Sequence, residues 1–117
     1  MKLAIAIVLL TAGIARADSA ADVDKFLVWF DGFADLATAD QNNCPKMGTD
    51  LNKSLDDNKA IVDAAKRAMD SGDEIPGDAA QHMIDTNQRL SVAVKAKCSA
   101  DPNVTHAMTR LPGRNKK

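Results

Sequence analysis

The chain has 117 residues, of which 26% are charged and 3% aromatic, with no tyrosine. That length suits one small domain with a modest core. The formal net charge is −1 overall and, with 9 basic against 16 acidic residues, −7 over residues 18–109, which disfavours the basic surface that nucleic-acid phosphates demand, so no nucleic acid is expected as a partner.

The N-terminus has the three parts of an export signal. Lys2 supplies the positive start, Leu3 to Ile14 form an apolar run, and Ala15-Arg16-Ala17 gives the small-x-small pattern that signal peptidase accepts. A transmembrane helix needs about 20 apolar residues, and this run closes earlier, at Arg16 and Asp18. Residues 1–17 are therefore expected to be a cleaved signal peptide, which places the protein in the periplasm or outside the cell. No Cys stands at the cleavage point, which argues against a lipid anchor, so no stable membrane anchor is expected after cleavage. The mature chain carries 13 basic and 16 acidic residues, net −3. Arg110, Arg114, Lys116 and Lys117 concentrate positive charge at the end, and residues 113–117 read as a loose basic tail. Residues 18–112 read as the folded domain.

Strand signals are absent: tyrosine is missing and aromatic residues make up 3% of the chain. Helical spacing recurs four times. The first predicted helix spans Ser19–Ala39, with Ser19 and Asp22 placed as a capping box and Val23, Phe26, Leu27, Phe30, Phe33, Ala34 and Ala37 on one face. Trp29 and Leu36 widen that face, while Asp24, Asp31 and Asp35 gather opposite it. The second runs from Pro45 to about Asp70, with an inner stripe of Met47, Leu51, Leu55, Asn58, Val62, Ala65 and Met69. Ser71-Gly72 is its stop signal, and Pro76-Gly77 marks a turn. The third starts near Asp78 and carries Ala80, Met83, Ile84, Asn87, Leu90, Val94 and Cys98 on one side. Asp101-Pro102 opens a short fourth helix with Val104, Ala107, Met108 and Leu111, ended by Pro112-Gly113.

Cys44 and Cys98 are the only cysteines, and an even pair in an exported protein reads as a disulfide. Short turns make neighbouring helices antiparallel. In an up-down-up bundle the ends of the first and third helices share one pole, which brings Cys44 and Cys98 together. The expected fold is thus all-α: a three-helix up-down-up bundle with a short fourth C-terminal helix and one disulfide. Closing a loop of this size is worth roughly 4 kcal/mol in the chain-entropy account.

Chemistry-bearing motifs are scarce. His82 and His106 each lie near a methionine, Met83 and Met108, but the spacing matches no copper site and both methionines fall on core faces. No C-x-x-C-H haem motif and no G-x-S-x-G occur, and Asp70 to Glu74 lacks the alternating ligands of a calcium loop. No metal, cofactor or catalytic residue is expected, and the protein reads as a non-enzyme. Asn52-Lys53-Ser54 and Asn103-Val104-Thr105 fit the glycosylation pattern, which matters only in a eukaryotic host. Asn58 and Asn87 interrupt apolar stripes as buried polar candidates, expected to fix helix register through hydrogen bonds. Val28, Trp29 and Leu36 form a candidate interaction surface beside the core face.

In size, compartment and single bridge the chain resembles periplasmic acid-stress chaperones. It shares no motif with them, so no residue role follows. The expected function is a non-enzymatic binding or interaction module, with another envelope or secreted protein as partner. Two further readings are a periplasmic carrier of a small apolar ligand, which requires a cavity of roughly 300 Å³ or more, and an envelope-stress or acid chaperone.

Overall fold

The computed structural model describes residues 2–70 and 75–112, with the backbone alone described for residues 2–19. Among these residues all regular structure is helical. The five segments are α1 (Lys2–Ala39), α2 (Cys44–Asp57), α3 (Lys59–Asp70), α4 (Gly77–Lys97) and α5 (Pro102–Thr109). Cys44 and Cys98 are bonded, with Cα atoms 5.2 Å apart. The all-α class and the single disulfide are both as the sequence led us to expect. Among the described residues no helix is long and apolar enough to cross a membrane. The loose tail expected at 113–117 and the Ser71-Gly72 stop lie outside the described residues.

Two boundaries differ from expectation. The helix expected to begin at Ser19 is the latter part of α1, which already starts at Lys2. Nothing in the intervening run of Ala, Leu and Ile interrupts helical backbone, and Gly13 is its weakest former. The helix expected to run unbroken to Asp70 is two helices divided at Asn58, whose φ of −121° and ψ of 28° leave the helical region. The Asn58 amide Nδ2 donates to the Ser54 carbonyl at 2.8 Å, which competes with the regular backbone ladder. Phase survives the break, because Leu55 and Val62 on either side are both buried.

The core is built on α1. Phe26, Phe30, Phe33, Ala34 and Ala37 are buried, and the rings of Phe26 and Phe30 stack with centroids 5.1 Å apart. Trp29 joins them, with its ring centroid 4.8 Å from that of Phe33. Such pairs each add about 0.5–1.5 kcal/mol beyond area burial. Met47, Leu51 and Leu55 of α2, Val62 and Ala65 of α3, and Leu90, Ala93 and Val94 of α4 complete the interior. The α4 face is turned from the expected stripe. Thr86 and Ala93 are buried, whereas Ile84 is 55% exposed. Small side chains at 86 and 93 admit α1 closely, and a hydroxyl is tolerated inside because it finds an acceptor, described below.

The fourth predicted helix does pack on the rest. Val104, Ala107 and Leu111 are buried, and the Asp101 side chain caps α5 by accepting from the amides of Asn103 and Val104 at 2.9 and 3.0 Å. Arg110 donates to the Asn52 side chain at 3.0 Å and pairs with Asp56, which fixes α5 along α2. Contact is closest at Gly48, where an added Cβ would lie 2.7 Å from Cβ of Asn103.

Two outcomes follow from this packing. Reduction of the bridge removes roughly 4 kcal/mol and so lowers Tm by well over 10 °C in a thermal melt followed by circular dichroism. Gly48→Ala pushes α5 off α2. Overpacking of about 1–3 kcal/mol opposes a gain of about 1 kcal/mol in helix propensity, for a net loss of up to about 2 kcal/mol in urea unfolding.

Candidate functional site

Two features outside the closed core carry recognisable chemistry: an apolar groove and a polar clasp. The groove has a volume of about 400 Å³. Phe26 and Phe30 of α1 reach it from the core, Met69 enters from the end of α3, Met83 and Ile84 line it from α4, and Leu111 closes it beyond α5. Among the described residues no charged side chain lines it, and Asn87 is its one polar side chain. Methionines suit such a surface, because an unbranched thioether chain adapts its shape to what it touches. Met69 and Met83 are half-buried and pack on the core, so they join the interior to the groove wall.

The clasp joins α1 to α4 through Asp31. Its carboxylate accepts from the Thr86 hydroxyl at 2.7 Å and from His82 Nε2 at 2.8 Å. Arg89 approaches Asp31 at 3.6 Å and donates to Asp35 at 3.0 Å. Burial pushes the Asp31 pKa up, but the Thr86 and His82 hydrogen bonds and the charges of His82 and Arg89 outweigh it. The net result lies below the ordinary aspartate value. An Asp–His pair also occurs in hydrolytic sites, but every partner found here for Asp31 is a donor that holds two helices together. The arrangement is a structural tie.

The residues singled out from sequence are placed as follows. Val28 is 75% exposed, Leu36 is half-buried, and Trp29 lies in the core with its indole N–H donating to Ser54 Oγ at 2.9 Å. Val28 is therefore the exposed member of that trio. Asn58 is spent on its own helix at the α2–α3 break, and Asn87 is half-buried at the groove. His82 belongs to the clasp, whereas His106 is exposed on α5. Among the described residues no group of three or more His, Cys, Asp or Glu could hold a metal ion. The Asn52 amide is engaged, donating to the carbonyls of Gly48 and Asn103. The Asp70–Glu74 turn lies mostly outside the described residues.

Sequence reasoning missed the clasp. The partners of Asp31 lie 51 to 58 positions along the chain, from His82 at 51 to Arg89 at 58, and each alone reads as a solvated face. The usable signal was Thr86, which shares a helical stripe with Leu90, Ala93 and Val94.

Because the folded-state pKa of Asp31 is depressed, its contribution is present above the ordinary aspartate pKa and is lost as pH falls through the folded value. Asp31→Asn should lose about 1–2 kcal/mol at pH 7, since it weakens a charge-assisted bond to a buried hydroxyl on a half-exposed pair. Urea unfolding at pH 7 and near pH 3 checks this, with the two proteins converging at the acid end. No known protein family matches the chain, and neither does any curated protein or solved structure.

Proposed function

We propose that this chain is an exported, non-enzymatic binding protein that seats a small apolar ligand in the groove. One observation carries the reading: about 400 Å³ of concave space whose lining, among the described residues, carries no charge, above the lower end of small-molecule sites near 300 Å³. The N-terminal signal pattern argues for export, and a disulfide is compatible with an oxidising compartment. The up-down-up arrangement belongs to the same proposal. Trp29 with Ser54 and Asp40 with Lys46 support α1 and α2 running in opposite senses, since one residue number rises as the other falls. Asp31 with His82 and Asp35 with Arg89 support α1 and α4 running in the same sense.

The protein-interaction reading has its own support. Ile84 is 55% and Val92 70% exposed, two turns apart on α4, and Val28 is exposed on α1. Trp29, which anchored the candidate surface in the sequence, is taken up by the core, and this favours the ligand reading.

A neutral apolar fluorophore, N-phenyl-1-naphthylamine, tests it on the mature oxidised protein. Fluorescence should rise with saturation. Ile84→Asp should weaken binding at least tenfold, because a charge in the groove wall must be desolvated. Val28→Asp should leave binding unchanged. No saturable signal, or equal binding by Ile84→Asp, overturns the reading.

A further inference from the structure

The turn between α1 and α2 holds a buried acid that neither the groove nor the clasp uses. Asp40 is 6% exposed. Its amide donates to the Leu36 carbonyl at 3.0 Å and its own carbonyl accepts from Asn43 at 2.8 Å, so the backbone holds the side chain inside. Asp40 Oδ1 receives one long bond of 3.4 Å from Lys46 Nζ, and Oδ2 has no donor. Lys46 is drawn closer to Asp50, with Nζ 2.6 Å from Oδ2. One half-exposed ammonium thus serves two carboxylates and favours the outer one. An ionised carboxylate left this way is costly, and burial magnifies its repulsion from a second acid.

We propose that Asp40 and Asp50 form a proton-sharing carboxyl pair that tightens the α1–α2 turn as the surroundings acidify. A proton from solvent binds the unpaired Oδ2 of Asp40, and the new O–H donates to the Asp50 carboxylate. Asp50 stays ionised and keeps Lys46. The pair goes from two negative charges to one, and the orphaned oxygen becomes a donor. The directions of titration agree. Burial first, then the hydrogen bond and charge of Asp50, push Asp40 up against the pull of Lys46. Lys46 first, then Asp40, push Asp50 down. This is the split of one proton held between two sites.

Asp50 and Lys46, both on α2, are the charged groups that act on Asp40. From α4 this pole receives Cys98, whose Sγ lies 3.6 Å from the Gln41 carbonyl, and the exposed Lys95 and Lys97 of its last turn. On the α5 side, Asp101 is committed to its cap. With a raised folded-state pKa, the contribution of Asp40 is fully present at and below the ordinary aspartate value and is lost as pH rises through the folded value. Below that ordinary value Asp50 and Asp31 lose their pairings, so stability peaks on the acid side of neutrality.

The test uses the oxidised mature chain, with thermal melts from pH 7.5 to 4.5 for the wild type and Asp40→Asn, and a carboxyl carbon NMR titration of the wild type. The wild type should gain Tm as the pH falls from 7.5 to 4.5. Asp40→Asn should start higher at pH 7.5 and lose that part of the slope, because an amide supplies the missing donor without a proton. A lower Tm for Asp40→Asn at pH 7.5, or equal slopes, overturns the proposal. Should the variant fail to fold, the titration decides alone: an Asp40 midpoint above the ordinary aspartate value supports the pair, and one at or below it refutes it.

Discussion

The bond between Cys44 and Cys98 joins the place where α1 gives way to α2 to the place where α4 ends. Much of one pole is arranged by that join. Cys44 opens α2 and Cys98 stands four residues ahead of α5, so the bridge sets the starts of α2 and α5 side by side. From there the two helices meet at Gly48 with Asn103 and at Asn52 and Asp56 with Arg110. A helix as short as α5 has little stability of its own in water. Its cap at Asp101 and its seat on α2 keep it helical, and the covalent anchor keeps that seat within reach. The same pole buries Asp40 beneath the turn.

Helical periodicity made the α1 core legible, because aromatic and alanine residues there follow the spacing without a competing signal. All seven residues assigned to that face are buried. The pairing of cysteines was legible because a short-turned helical chain leaves few places for both to meet. The α4 face was less so. Ile84 and Met83 outweigh Thr86 on any hydrophobic count, yet Thr86 lies inside and Ile84 outside. The hydroxyl has Asp31 as its acceptor, and a sequence read one helix at a time contains no trace of a partner 55 positions away. Asn58 hid a break for a related reason. Its side chain satisfies a local carbonyl, and the apolar stripe keeps its phase on both sides.

The candidate site was legible only as a requirement, a cavity of a given size, and not as a place. Its wall takes the ends of α3 and α5 and the outer edge of α4, which sequence periodicity treats as termini and turns. The two tied aspartates are instructive together. Asp31 and Asp40 are the same residue type nine positions apart, one on α1 and one just past its end, yet they shift in opposite directions. Burial opposes ionisation in both. Asp31 collects three donors from α4, whereas Asp40 shares one lysine with a competitor. At Asp31 the donors outweigh burial, whereas at Asp40, the more deeply buried of the two, burial leads and one shared lysine does not offset it.

The covalent ring also settles what a mechanical load can reach. Residues 44–98, with α2, α3 and α4, lie inside the loop closed by the bridge, while α1 and α5 lie outside it. Tension applied through the two ends of the chain passes through the bridge and bypasses everything between its cysteines. It strips α1 and α5 away and then stops, leaving on the order of 180 Å of contour length out of its grasp. The aromatic floor of the groove stands on the unprotected side of that division, and the methionine walls stand on the protected one.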